Sequence, residues 1–286
     1  MFILTEVIEI LKSVLYGIIE GITEWLPISS TGHLILFEEL FWKETDPSFM
    51  EMFRVVIQLG AILAVIVMFF RKLNPFSRRK DAIAKRSTWE MWFKVIIACV
   101  PAAVVGLPFE DTLDKYFYNF PTVAATLIIY GIAFIALEST KRPLPKINDV
   151  SEMSYKTALF IGLIQLLSLI PGTSRSGVTI LGAMLLGCSR AVAAEFSFFL
   201  AIPVMFGASL LKCAAYAKDI IDGEALMIGT LEITVLLVGL VVAFVVSLLA
   251  IRFLTEYVKR KNFKPFGYYR VILGIILLGY FFLFAK

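Results

Sequence analysis

Histidine occurs once and cysteine three times in the 286 residues of this chain. Cys99, Cys188 and Cys213 are odd in number, and each lies in an apolar segment. That pattern argues against a disulfide framework or a cysteine metal site and leaves them as buried packing residues. Charge is also scarce: 17% of residues are charged and 59% are hydrophobic, a balance far from that of a soluble domain. A cleavable leader pattern is missing at the start. Glu6 and Glu9 stand where a leader is positive, and no small-residue cleavage site follows.

What remains is apolar sequence, with a mean hydropathy of +0.85. Several runs approach the roughly 20 residues that a helix needs to cross a bilayer. The fold class expected is therefore an all-α integral membrane protein. The net charge of +4 is modest but concentrated, with Lys and Arg clustered in 71–86 and 252–270. In an apolar chain such clusters read as cytoplasmic loops and not as a nucleic-acid surface. Spans are expected over residues 49–70, 91–109, 121–138, 194–215, 229–251 and 271–285. The connection 110–120 and the acidic residues Asp219, Asp222 and Glu224 would then face outside. Gln58 and Glu195 are polar residues within spans; cavity lining and helix–helix hydrogen bonding explain them equally well.

The residues from Gly17 to Leu36 (GIIEGITEWLPISSTGHLIL) organise the rest. Glu20 and Glu24 are four apart and share one helix face. Pro27 disfavours helical geometry just before it. Ser29, Ser30, Thr31, Gly32 and His33 then make a polar turn before a new apolar helix. Residues 28–42 are too short to span, so 3–25 and 28–42 read as a helix–break–helix hairpin. Such re-entrant backbone is tolerated only under protein or beside a water-filled cavity. The pattern restarts at 156–187, whose turn is PGTSRSG, Pro171 to Gly177. At an offset of 145, Gly17 matches Gly162, Glu20 faces Gln165, Ser29 matches Ser174 and Gly32 matches Gly177. One membrane domain, 1–286, would thus hold a first repeat, 1–140, and a second, inverted repeat, 156–286, with six transmembrane helices and two re-entrant helical hairpins. Inverted repeats with broken helices place a site near the bilayer midplane, where both turns should meet.

The polar residues of the two turns suggest what that site handles. Arg175 at membrane depth is costly unless it meets an anion or lines water, and its planar fork suits phosphate. Ser174, Ser176, Ser29 and Thr31 can donate hydrogen bonds, and each turn opens a helix whose free N–H groups favour anions. The blander alternative is a tight Gly/Ser helix crossing with Arg175 snorkelling to the interface. Glu20 and Glu24 could act as acid and base, hold a divalent cation, or simply be exposed on an amphipathic helix. Ser30 and His33, three apart, could converge as hydroxyl and activating imidazole; His33 could also attack phosphorus itself. A lone histidine is as readily a buried hydrogen-bonding residue. Small residues in GITEWLP and GLIQLLS could serve homodimer contacts as well as internal packing.

EGITEWLPISSTGH and PGTSRSG together resemble the signatures of undecaprenyl-diphosphate phosphatases of the bacitracin-resistance type, as does VVIQLG; the likeness spans essentially the whole chain. Trp25 and Ile28 stand where Phe and Val are common, and Arg54 where a carboxylate or amide occurs in some relatives. The resemblance implies a bacterial plasma-membrane enzyme that hydrolyses undecaprenyl diphosphate to the monophosphate and phosphate, recycling the lipid carrier of peptidoglycan synthesis and conferring bacitracin resistance. Carried over by position, the site is Glu20, Glu24, Ser29, Ser30, Thr31, His33, Ser174 and Arg175. Ser30 is the expected nucleophile with His33 as its base, or His33 is itself the nucleophile; Arg175 is the phosphate clamp, and Glu24, helped by Glu20, orients that pair or binds a Mg²⁺ or Ca²⁺. No organic cofactor is expected, and the site should open to the extracytoplasmic face. The rival reading is a transporter or flippase of a polyprenyl phosphate, since inverted repeats with midplane breaks are the usual architecture of secondary transporters.

Overall fold

A computed structural model describes residues 2–42, 46–141, 143–223 and 228–284. They are almost entirely helical. In chain order the helices are α1 (Phe2–Thr23), α2 (Ser30–Phe41), α3 (Pro47–Met68), α4 (Phe70–Leu73), α5 (Ala82–Phe117), α6 (Phe120–Ser139), α7 (Tyr155–Gln165), α8 (Arg175–Leu185), α9 (Arg190–Asp222), α10 (Thr230–Arg260) and α11 (Lys264–Phe284). Six of them, α3, α5, α6, α9, α10 and α11, are long and apolar enough to cross a membrane. The chain is a multi-pass membrane protein. Helix α2 and the pair α7 and α8 are too short to do so.

Local chemistry sets the helix ends. Asp46 caps α3 through the Ser48 amide, with Pro47 in the first turn. Asn119 caps α6 in the same way through Thr122. Gly223 closes α9 in the left-handed region at φ 79°. One expectation fails here. Residues 110–117, anticipated as an outer loop, continue α5 to Phe117, and only two residues separate α5 from α6. Pro101 and Pro108 lie inside that long helix without ending it. Glu224 lies outside the described residues.

Between helices, packing depends on close backbone approach. Helix α1 packs chiefly on α10, α7 on α5, α6 on α11, and α3 on both α9 and α10. A Cβ on Gly21 would come within 2.9 Å of Ala243 O, and one on Gly162 within 2.3 Å of Ala98 O. These two glycines belong to the segments read as serving dimer contacts or internal packing, and both pack inside one chain. In a lipid environment van der Waals fit between small residues is a main source of helix association. The three cysteines are free, and Cys188 is buried among apolar side chains.

Candidate active site

The breaks after α1 and before α8 are built alike. In each, a serine at positive φ, Ser29 at 73° and Ser174 at 69°, caps the following helix. They are the only non-glycine residues with positive φ among the described residues. Such geometry costs on the order of 1–3 kcal/mol and persists only where surroundings enforce it. Ser29 Oγ accepts from Gly32 N at 3.4 Å, and Ser174 Oγ accepts from Gly177 N at 3.1 Å.

Glu24 ties the two breaks together. Its Oε1 accepts from Arg175 Nη2 at 3.0 Å, and its Oε2 accepts from Ser30 Oγ at 3.0 Å. Its backbone carbonyl accepts from Ser176 Oγ at 2.9 Å. Residues 151 positions apart thus share one ion pair, about nine-tenths buried on both sides. The Arg175 guanidinium lies over the Trp25 ring, 5.9 Å from its centroid, and Nη1 donates to Ser197 O on α9 at 2.9 Å. Arg175 Nε is buried with no acceptor. Glu20 is fully buried on α1, and neither of its carboxylate oxygens has a hydrogen-bond partner.

His33 takes a different partner from the one expected. Nδ1 lies 2.7 Å from Ser29 O, which can only accept, so Nδ1 carries the proton. Nε2 lies 2.7 Å from the Tyr269 hydroxyl, which then donates to it. Ser30 points its hydroxyl at Glu24, and no Ser30–His33 hydrogen bond occurs among the described residues. The three-residue spacing places both in the first turn of α2, but on separate partners. Ser174 and Ser176 hydroxyls lie 3.2 Å apart. Thr31 is half-buried in the same turn of α2, with no side-chain hydrogen bond to the other site residues.

Tyr269 and Arg270 on α11 are the residues that sequence reasoning missed. Arg270 fell in the stretch taken as a basic cytoplasmic segment; it is instead fully buried. Nη2 donates to Gly172 O at 3.0 Å and Thr173 O at 2.9 Å, and Nη1 to Pro27 O at 3.3 Å. One guanidinium therefore fastens both breaks. The only hint in the sequence was a Tyr-Tyr-Arg run abutting an apolar segment, which is also how a span begins at its basic end. Glu195, for which cavity lining and helix–helix hydrogen bonding stood equal, pairs with Lys72 of α4 at 2.7 Å. Arg54 forms a bidentate pair with Glu38 and lies over the Tyr118 ring.

Among the described residues no group of three His, Cys, Asp or Glu side chains could hold a metal ion by itself. Glu20, with both oxygens buried and unpartnered, nevertheless fits one place in the shell of a hard cation, since Mg²⁺ takes one or two carboxylates and completes its shell with water and phosphate.

Residues 13–276 match the family described as bacitracin resistance protein BacA. The chain is 58% identical over 270 residues to an undecaprenyl-diphosphatase of Enterococcus faecalis, covering 94% of this chain and 96% of that one. It is 55% identical over 275 residues to one of Lactiplantibacillus plantarum and 54% identical over 275 residues to one of Acetivibrio thermocellus, each match covering 96% of this chain and 98% of the relative. With two serine-capped breaks joined through Glu24 and a family match over nearly its whole length, this chain belongs to the bacitracin resistance protein BacA family.

Proposed function

We propose that this chain is an undecaprenyl-diphosphatase, releasing inorganic phosphate from undecaprenyl diphosphate and leaving undecaprenyl phosphate. The observation that carries the reading is the Glu24 carboxylate, held by Arg175 of one break and accepting from Ser30 of the other. Phosphoryl transfer rests on positioning and charge stabilisation, and these two breaks supply both.

Ser30 is the nucleophile. Its Oγ forms a bond to the terminal phosphorus while the bridging P–O bond breaks and undecaprenyl phosphate leaves. The hydroxyl proton passes to Glu24, its partner at 3.0 Å, and not to His33. Water then attacks the phosphoserine and gives up a proton to His33 while the P–Oγ bond breaks; Glu24 returns its proton to Ser30 Oγ, and phosphate departs. Arg175 meets phosphate oxygens with Nε, the donor that the protein leaves without an acceptor. Ser29, Ser174, Ser176 and Thr31 surround that point, with the amino ends of α2 and α8 favouring negative charge. His33 is the base for that water through Nε2, which accepts from the Tyr269 hydroxyl at rest and is freed when that hydroxyl turns away. A divalent cation, Mg²⁺ or Ca²⁺, would be held by Glu20 with help from Glu24 and would neutralise phosphate charge.

The finer architecture belongs to the same reading. Residues 1–140 and 156–286 are two repeats of opposite topology, each a re-entrant hairpin followed by three spans. The packing supports this: α1 sits on α10 as α7 sits on α5, so each hairpin leans on the middle span of the other repeat. The hairpins bring the site to membrane depth and open it to the extracytoplasmic face, from which the first hairpin enters.

The test is phosphate release from undecaprenyl diphosphate by detergent-purified protein, with chelator and added Mg²⁺ or Ca²⁺ as separate arms. Glu24→Gln, Arg175→Ala and His33→Ala should each abolish turnover in folded protein. Near-wild-type turnover in any one removes that residue's role, and lipid movement in vesicles without hydrolysis would replace the enzyme by a carrier.

A further inference from the structure

The segment joining α4 to α5 belongs to neither break, yet it builds a cavity of its own. The span of α3 ends at Met68 and that of α5 begins at Ala82, so residues 70–80 sit at the ends of two spans. Arg71, Arg78, Arg79 and Lys80, with Phe70 and Phe76, surround a space of about 530 Å³, and among the described residues no carboxylate lines it. That volume falls within the roughly 300–1,000 Å³ usual for small-molecule sites.

The walls are held from several sides. Trp92 Nε1 donates to Leu73 O at 2.8 Å, which fixes the end of α4 on α5. Lys80 Nζ donates to Lys72 O at 2.9 Å and to Thr88 Oγ1 at 2.6 Å, closing the loop across its base. Both acceptors are neutral, so neither compensates the Lys80 charge. Among the described residues Arg71, Arg78 and Arg79 make no side-chain hydrogen bond or ion pair. Asp81, the nearest carboxylate along the chain, turns Oδ1 to Ala84 N at 2.7 Å in the first turn of α5. A cleft lined by one sign of charge concentrates the field and draws an anion. The other basic stretch is balanced differently: Glu256 shares the hollow of Arg252, Arg260 and Lys261 and pairs with Lys259.

The aromatic wall leads on to lipid-facing surface. Phe70 and Phe76 are more than half exposed, and Phe76 meets Trp89 edge to face with centroids 5.7 Å apart. From the exposed Trp89, the residues Phe93, Ile96, Val100 and Val104 follow at helical spacing down one face of α5, all about half exposed or more. Aromatic side chains of this kind settle at the headgroup level of a bilayer.

We infer that this cavity holds the phosphate headgroup of an anionic diacyl phospholipid, whose acyl chains lie along the strip from Trp89 to Val104. The planar forks of three arginines match phosphate oxygens, and Lys80 adds a fourth positive charge. A soluble anion would use the cations and leave the apolar strip bare. The lipid joins the loop to α5 at a place remote in sequence from both breaks.

Trp89 serves as the reporter, because bromine on an acyl chain quenches a nearby indole. Detergent-purified protein is titrated with phosphatidylglycerol or phosphatidylcholine brominated on the acyl chains. At about fivefold in binding per cation near an anionic headgroup, half-quenching should need at least about tenfold less phosphatidylglycerol. Trp89→Phe should abolish this selective quenching, since Trp25 and Trp42 are buried. Arg78→Gln with Arg79→Gln, both on the exposed loop, should bring the two lipids within about threefold of each other. Arg252→Gln with Arg260→Gln removes the same charge from the other basic stretch and should leave the preference intact. Equal quenching by both lipids in the wild type overturns the site. So does an equal loss in both double variants, which would show diffuse surface charge, or selective quenching that survives Trp89→Phe. Displacement of the lipid by millimolar inorganic phosphate or glycerol phosphate would show a site for soluble anions and overturn the lipid.

Discussion

Replacing Arg270 by methionine separates the two things a buried guanidinium does. The side chain is fully buried and reaches four carbonyls: Thr173 O at 2.9 Å, Gly172 O at 3.0 Å, Pro27 O at 3.3 Å and Leu127 O at 3.5 Å. The last two are long and weak, so the reach to Pro27 O, the one contact with the first break, orients more than it stabilises. Leaving the other two carbonyls without donors costs roughly 1–3 kcal/mol each, about 2–6 kcal/mol together. Against this, removing a buried charge recovers several kcal/mol of desolvation. The two effects nearly cancel, so global stability should change by less than about 2 kcal/mol. The loss is local: the second break is freed from the first. A misplacement of about 1 Å at a reacting centre costs on the order of 10²-fold in rate. Initial rates of phosphate release should therefore fall about 10²-fold in Arg270→Met, chiefly in kcat, with little change in the thermal unfolding midpoint. Arg270→Lys keeps the charge but not the fork that spans both breaks, and should recover only a small part of the rate. A methionine variant within threefold of wild-type kcat, or full rescue by lysine, would refute the claim that the fork fastens the breaks.

Other outcomes follow from single contacts. Tyr269→Phe removes the donor to His33 Nε2 and should lower kcat about tenfold with a displaced pH profile, while Tyr268→Phe, on the exposed neighbour, should do neither; steady-state kinetics across pH decide it. Gly162→Val must push α7 off Ala98, where even a Cβ would sit 2.3 Å from a carbonyl oxygen, so overpacking of at least about 1–3 kcal/mol should lower the unfolding midpoint and the yield of folded protein. Ser29→Ala and Ser174→Ala each remove a helix cap worth about 1 kcal/mol and should lower activity far more than stability, because the caps also set the breaks; phosphate release beside thermal unfolding separates the two. In the loop before α7, hydrogen bonds from the Ser151 hydroxyl and amide hold the Asp149 carboxyl below the usual aspartate range. Its contribution is therefore present above the unfolded pKa and lost as pH falls through the lower folded value, so the protection factors of amides 150–153, corrected for the intrinsic rate, should fall in acid, and an Asp149→Ala variant should lose that pH dependence.

Residue order alone was enough for the membrane, the helices and the paired breaks. Bilayer thickness fixes how long an apolar run must be, and α3, α5, α6, α9, α10 and α11 each overlap an expected span. Glycine and serine at a constant offset marked both helix starts, because capping is a local property of a few adjacent residues. Length was less legible where polar residues continued a helix, as in 110–117 of α5. Partnership was not legible at all. Spacing put His33 near Ser30, but a turn of helix gives each side chain several directions, and the fold directs one to Tyr269 and the other to Glu24. Arg270 looked like the basic end of a span because sequence carries the sign of a charge and not its depth. Only packing α11 against α6 and both breaks turned it inward, where its carbonyl contacts, chiefly Gly172 and Thr173, offset the loss of water.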